Sequence, residues 1–100
     1  MAGSIIQPGS CIGENTIINT RAAIDHDCTI GDHVHIAPGV VMSGNVTIQD
    51  GAHIGVGSTI IQGITVGENC LVGAGSLVIR NVNNNTTAYG VPAKEVVKHE

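Results

Sequence analysis

The sequence predicts an all-β protein built as a parallel β-helix of about four coils with a short C-terminal tail. The first observation is a period. Counting by sixes from Ile6, an aliphatic side chain returns at Ile12, Ile18, Ile24, Ile30, Ile36, Met42, Ile48, Ile54, Ile60, Val66, Val72 and Val78, without insertion or break. The second is a companion column. Two residues before each aliphatic, positions 4 to 76 hold Ser, Thr, Ala, Cys or Val in twelve of thirteen cases, with Ile64 the one larger residue. The third is a turn signal. Three residues after each aliphatic stand Gly9, Asn15, Arg21, Asp27, His33, Gly39, Asn45, Gly51, Gly57, Gly63, Asn69, Gly75 and Asn81, ten of them Gly or Asn. Gly and Asn reach positive φ at least cost, as the third residue of a type II turn requires.

Each element follows from that frame. A period of six is neither the 3.6 of a helix nor a plain strand alternation, so each unit reads as a short strand and a turn. Three units close a triangular coil of 18 residues, and each strand pairs with its copies one coil away around a continuous aliphatic core. The repeat domain spans residues 1–82. The tail, residues 83–100, loses the period in a run of asparagines and is expected to form a loop followed by a strand or short helix that packs outside or caps the last coil. Outward residues fall into three columns. Ile5, Ala23, Val41, Thr59 and Leu77 form one, Ile17, His35, His53 and Leu71 another, and Cys11, Thr29, Thr47 and Thr65 the third. Two faces therefore expose apolar groups, which suggests a partner surface and three-fold packing of rods. The plainer reading is that such residues are good strand formers.

Composition excludes several function classes. One hundred residues make one modest domain, with one Tyr and no Phe or Trp, so Ile and Val must fill the core. A net charge of −4 with four basic residues argues against a nucleic-acid or anionic-membrane surface. The N-terminal MAGSIIQPGS carries no signal-peptide pattern, and no segment approaches the roughly 18 apolar residues of a membrane span. A cytoplasmic protein is expected. Cys11, Cys28 and Cys70 are odd in number and lack CxxC spacing, so they read as small buried or half-buried fillers rather than a disulfide framework or zinc site.

The candidate chemistry lies in AIDHDCTIGDHVHIAPG, residues 23 to 39. His26 stands two residues after a core aliphatic, in a slot otherwise held by residues such as Glu14, Asp32, Pro38, Asp50 and Arg80, so it belongs to an exposed corner. One coil on, that slot is Gly44, which leaves space beside the imidazole for a substrate. A corner imidazole suits a general base because it titrates near physiological pH. Asp25 and Asp27 flank it and could raise its basicity or hold its tautomer. Against this stands a solvated polar corner, with Asp27 simply a turn residue. His33 falls in the turn slot. His35 lies on a flat face with His53 one coil later.

The runs INTRAAIDHDCTIGDHVHIAPGVVMSGNVTI, GAHIGVGSTIIQGITVGENCLVGAGSLVIRNV and YGVPAK resemble the hexapeptide-repeat acetyltransferases, in particular the C-terminal domain of the sialic-acid O-acetyltransferase and bacillosamine N-acetyltransferase group. The resemblance implies a left-handed β-helix, against the general right-handed rule for parallel crossovers, and a homotrimer with active sites between subunits. It implies acetyl transfer from acetyl-CoA to a hydroxyl or amine of a sugar or nucleotide-sugar acceptor, with no nucleic-acid or membrane partner and no metal. His26 matches the general base, Asp27 the acid that raises its basicity, and Asn19 a polar active-site position. His35 matches a histidine near the thioester, while Gly44, Val56 and Ala74 match positions along the CoA channel. Arg80, Lys94 and Lys98 could meet CoA phosphates, Lys94 being counted with the cofactor site, or serve as solubilising charges. The match does not extend to the N-terminal α/β domain with which the related enzymes grip the nucleotide, so a fragment or a truncated relative is expected.

The implied mechanism is direct transfer in a ternary complex, the oxyanion met by a backbone N–H or His35. Cys28 sits in an inward slot, which argues against a thiol nucleophile. Two other readings remain: a non-catalytic trimeric β-helix scaffold, and a γ-carbonic-anhydrase-like metal enzyme using His35 and His53, for which the family's histidine spacing is missing.

Overall fold

The computed structural model describes residues 5–6 and 9–98. Ser4, the first residue of the small column, and Pro8, in the slot that His26 occupies one coil later, lie outside the described residues. The first coil holds β1 (Ile5–Ile6), β2 (Cys11–Ile12) and β3 (Ile17–Ile18), and the second β4 (Ala23–Ile24), β5 (Thr29–Ile30) and β6 (His35–Ile36). The third holds β7 (Val41–Met42), β8 (Thr47–Ile48) and β9 (His53–Ile54), and the fourth β10 (Thr59–Ile60), β11 (Thr65–Val66) and β12 (Leu71–Val72). Then come β13 (Leu77–Val78), β14 (Thr86–Gly90) and β15 (Ala93–Lys98), and no helix is present among the described residues.

The strands stack in three sheets: β1-β4-β7-β10-β13, then β2-β5-β8-β11, then β3-β6-β9-β12-β14-β15. Pairing within the repeats is parallel at the 18-residue register that the period predicts, Ile5 opposite Ala23, Thr29 opposite Thr47 and His35 opposite His53. The result is a parallel β-solenoid of about four turns. Its three sheets are the flat faces of a prism, and the turns form its corners.

The interior is the aliphatic column. Ile18, Ile24, Ile30, Ile36, Met42, Ile48, Ile54, Ile60, Val66, Val72 and Val78 are buried. Burying one such side chain stabilises by roughly 1.5–3 kcal/mol, so the column carries the fold. Ile6, on the first described coil with none described above it, stays 40% exposed.

The small column is inward as well, and its chemistry goes beyond size. Its hydroxyl and thiol groups donate to backbone carbonyls in the next coil: Ser10 to Asp25, Thr16 to Gly31, Cys28 to Ser43 and Ser58 to Gly73. Each link spans 15 residues. Cys28 and Cys70 are buried fillers as expected, but Cys11 is exposed, because it is the outward residue of β2 and not a member of this column.

Turn residues adopt positive φ at twelve of the thirteen expected positions, including Arg21 (63°), Asp27 (59°) and His33 (58°). Asn81 departs from the rule. Its side-chain Oδ1 instead accepts from the Thr65 N–H at 2.8 Å, and the next positive φ falls at Asn85. That slip ends the six-residue period. The tail then realises the strand alternative: β14 joins β12 in parallel, with Leu71 opposite Thr87, and β15 returns antiparallel beside it. Glu95 ties the hairpin down by accepting from the Asn83 N–H at 2.8 Å and its Nδ2 at 3.2 Å.

Candidate functional site

His26 stands at the corner between the first and second sheets, exposed, as its slot predicts. Its backbone N–H donates to Asp25 Oδ1 at 2.7 Å, which closes the turn around it. The ring Nδ1 lies 3.4 Å from Asp27 Oδ2. Asp27 is braced in turn by its left-handed backbone and by its other carboxylate oxygen, which lies over the Cα of Gly9 where a side chain would collide with it. So the turn residue and the histidine partner are one and the same carboxylate.

The space beside the ring is not empty. Gly44 is buried, and a Cβ built on it would lie 2.8 Å from His26 Cε1, 3.1 Å from Nε2 and 3.3 Å from Nδ1. The imidazole therefore rests on the bare backbone of the next coil, and any substrate must approach from its solvent side.

Asn19 and His35 form a second cluster, which spacing alone did not join. Asn19 begins the turn after β3, and its Nδ2 lies 2.7 Å from His35 Nε2 and 3.2 Å from the Ile36 carbonyl. An amide N–H₂ can only donate, so His35 Nε2 accepts and its remaining proton sits on Nδ1. His53 stacks on His35 with ring centroids 4.5 Å apart and planes inclined by 49°. Burial, and then the neighbouring His35, hold the His53 pKa below its ordinary 6.5. No group of three or more His, Cys, Asp and Glu side chains stands close enough to hold a metal ion among the described residues.

Val56 and Ala74 are exposed at the corner between the third and first sheets, the corner that Asn19 also occupies one or more coils earlier. Lys94 lies on β15, exposed, and lines a cleft of about 330 Å³ together with Arg80 and Glu95. Lys98 lies on the same strand, opposite Thr86. Cys28 and Cys70 are closed to chemistry. Burial pushes both thiols up, and each donates to a carbonyl, Ser43 at 3.3 Å and Asn83 at 2.7 Å.

One chain thus brings His26, Asp27 and Gly44 together at one corner, and Asn19, His35 and His53 together on the third sheet. It does not bring the two groups to each other. Apolar side chains flank both: Val41 is exposed on the first sheet and Ile61 just after its strand β10, and Ile17 (54%) and Leu71 (42%) on the third.

Comparison with known proteins gives a consistent picture. A family model described as bacterial transferase hexapeptide (six repeats) matches residues 12–44 and 45–80. A structure of perosamine N-acetyltransferase from Caulobacter crescentus, a histidine-to-asparagine mutant in complex with CoA and GDP-perosamine, is 41% identical with a TM-score of 0.96, over 97% of this chain and 46% of that one. The acetyltransferase domain of PglB from Neisseria gonorrhoeae FA1090, in complex with acetyl coenzyme A, is 38% identical with a TM-score of 0.94, over 96% of this chain and 47% of that one. WeeI from Acinetobacter baumannii AYE is 30% identical with a TM-score of 0.84, over 95% of this chain and 56% of that one. The chain therefore spans about half the length of these neighbours. The comparison with curated proteins gives no match.

Proposed function

Because this chain belongs to the bacterial transferase hexapeptide family, we propose that it is an acetyltransferase domain. It moves the acetyl group of acetyl-CoA to a hydroxyl or amine of a sugar or nucleotide-sugar, with His26 as general base, at sites shared between the subunits of a homotrimer. The observation that carries this reading is the His26 corner, an exposed imidazole with Nδ1 turned to a carboxylate and Nε2 on the ring's other side.

The chemistry follows from that geometry. With a proton on Nδ1 held toward Asp27, Nε2 carries the lone pair and takes the acceptor's proton as its oxygen or nitrogen attacks the thioester carbonyl. The carbonyl π bond opens to an oxyanion, met by a backbone N–H or by His35 Nδ1–H. Collapse re-forms the carbonyl, breaks the carbon–sulfur bond and releases the CoA thiolate, which recovers the proton from Nε2. Asp27 stabilises the imidazolium in between. No covalent enzyme intermediate enters, in keeping with the closed-off Cys28.

The two clusters on different faces of the prism support a shared site. Three-fold packing lays the third sheet of one copy, with Asn19 and His35, against the His26 corner of the next, and buries the apolar columns of both. Acetyl-CoA then runs between copies along Val56 and Ala74, with Lys94 at its phosphate-bearing end. Cytoplasmic location fits the supply of acetyl-CoA.

Calorimetric titration with acetyl-CoA and thiol release on a panel of amino-sugars and nucleotide-sugars test this. The expected result is binding by the unsubstituted chain and by His26→Ala alike, with turnover about 10²- to 10⁴-fold lower in the variant. Unchanged turnover in His26→Ala removes the histidine from the reaction. A trimer that binds no acetyl-CoA leaves a scaffold.

A further inference from the structure

We propose that Gly44 is a positioning residue for the reaction, the bare seat on which the His26 imidazole is held in its working orientation. This rests on the reading of His26 as the base. Most other glycines of the solenoid have one of two other reasons to be glycine, and at Gly73 an added Cβ would meet the Tyr89 side chain of β14. Gly39, Gly51, Gly57, Gly63 and Gly75 take the positive φ of the turn slot. At Gly13, Gly31, Gly55 and Gly67 an added Cβ would lie 2.6 to 2.9 Å from backbone atoms one coil on, so the coils could not close around it.

Neither reason applies to Gly44. Its φ lies outside the left-handed region, and the three atoms nearest an added Cβ all belong to the His26 ring. The imidazole thus takes up the near side of the space that a side chain here would fill. The ring presents Cε1 to the seat, with Nδ1 and Nε2 on either side. Nδ1 then faces Asp27, and Nε2 is left on the side away from it. A side chain at position 44 turns this ring about its own torsions, because His26 is exposed and the backbone has no need to move. The substitution therefore separates orientation of the base from folding of the coil.

The test uses the full chain with isotope-labelled histidine. In the unsubstituted protein a nuclear Overhauser contact joins His26 Hε1 to the Gly44 Hα protons, and in Gly44→Ala the ring's contacts and shifts move while Tm stays within about 2 °C. With acetyl-CoA and acceptor, Gly44→Ala lowers kcat at least about tenfold and leaves the acetyl-CoA KM within about twofold, the signature of a displaced base. Absence of the Overhauser contact in the unsubstituted protein overturns the seat, whatever the variant does. So does unfolding of Gly44→Ala, which makes the glycine a packing residue, or a raised KM with unchanged kcat, which places it in the cofactor channel. If the unsubstituted chain transfers no acetyl group while the contact is present, it is the reading of His26 as base that fails, and the two failures are told apart.

Discussion

His53 shows how one residue's surroundings set a measurable property of the fold. Burial and the adjacent His35 hold its pKa below 6.5, so the unfolded chain binds a proton there at pH values where the folded chain does not. Stability contributed by the neutral ring is therefore complete above about pH 6.5 and is lost as pH falls through the lower folded value. Urea unfolding of the unsubstituted protein and of His53→Thr, compared from about pH 7.5 to about 5.5, should show the smaller acid loss in the variant. An equal loss in both assigns it to other groups. Thr is the conservative choice, since Thr59 and Thr65 occupy equivalent outward positions in β10 and β11. The neighbouring pair has its own signature. Asn19→Ala removes the donor that holds His35 Nε2, and nitrogen chemical shifts of His35 should then show its Nδ1–H tautomer giving way to a mixture.

Two-residue strands hold because their corners are cross-linked from coil to coil. At the corner between the second and third sheets, Asp32 Oδ1 accepts from the Glu14 N–H, Asp50 Oδ1 from the Asp32 N–H and Asn84 Oδ1 from the Glu68 N–H, each at 2.8 Å. Every such oxygen lies over a glycine, Gly13, Gly31 or Gly67, where a side chain would collide with it. The ladder uses an acceptor oxygen and has no need of charge, as Asn84 demonstrates. Asp50→Asn should therefore keep the stability of the unsubstituted protein, and Asp50→Ala should lose about 0.5–1.5 kcal/mol in denaturant unfolding. An equal loss in both variants makes the bond electrostatic. Asp32 and Asp50, acidic members of an exposed corner slot in the sequence, are thus backbone acceptors.

As a whole the molecule is a prism with two apolar faces and one polar face. Ile17 and Leu71 are exposed on the third sheet and Val41 on the first, while the second shows Cys11 and threonines. An association that uses two different faces closes into a ring only when the rotation between copies is right, and a triangular cross-section suits three. Leu71→Glu should therefore elute at the size of a single chain with an unchanged β-sheet circular dichroism spectrum, whereas Thr47→Glu on the second sheet stays assembled. A Leu71→Glu protein of undiminished size places the interface elsewhere. Under the proposed function, the acetyl transfer should be lost in Leu71→Glu together with assembly, because one copy keeps the His26 corner and the Asn19–His35 pair on separate faces.

The sequence by itself determined the solenoid, its register, its three columns of outward residues and the exposure of His26. These are consequences of a strict period, and a period survives in one dimension. It also carried the turn chemistry, down to Arg21, Asp27 and His33 at positive φ. Only the tertiary structure decided what depends on neighbours a coil away: that Asn19 bonds His35 at 2.7 Å, that the small column donates hydrogen bonds, that Asn81 ends the period by turning its side chain to Thr65, and that Gly44 lies under the imidazole. Spacing places residues in a column. Whether a side chain reaches across to the next coil depends on its torsions and on the atom it finds there, and those are properties of the packed coil.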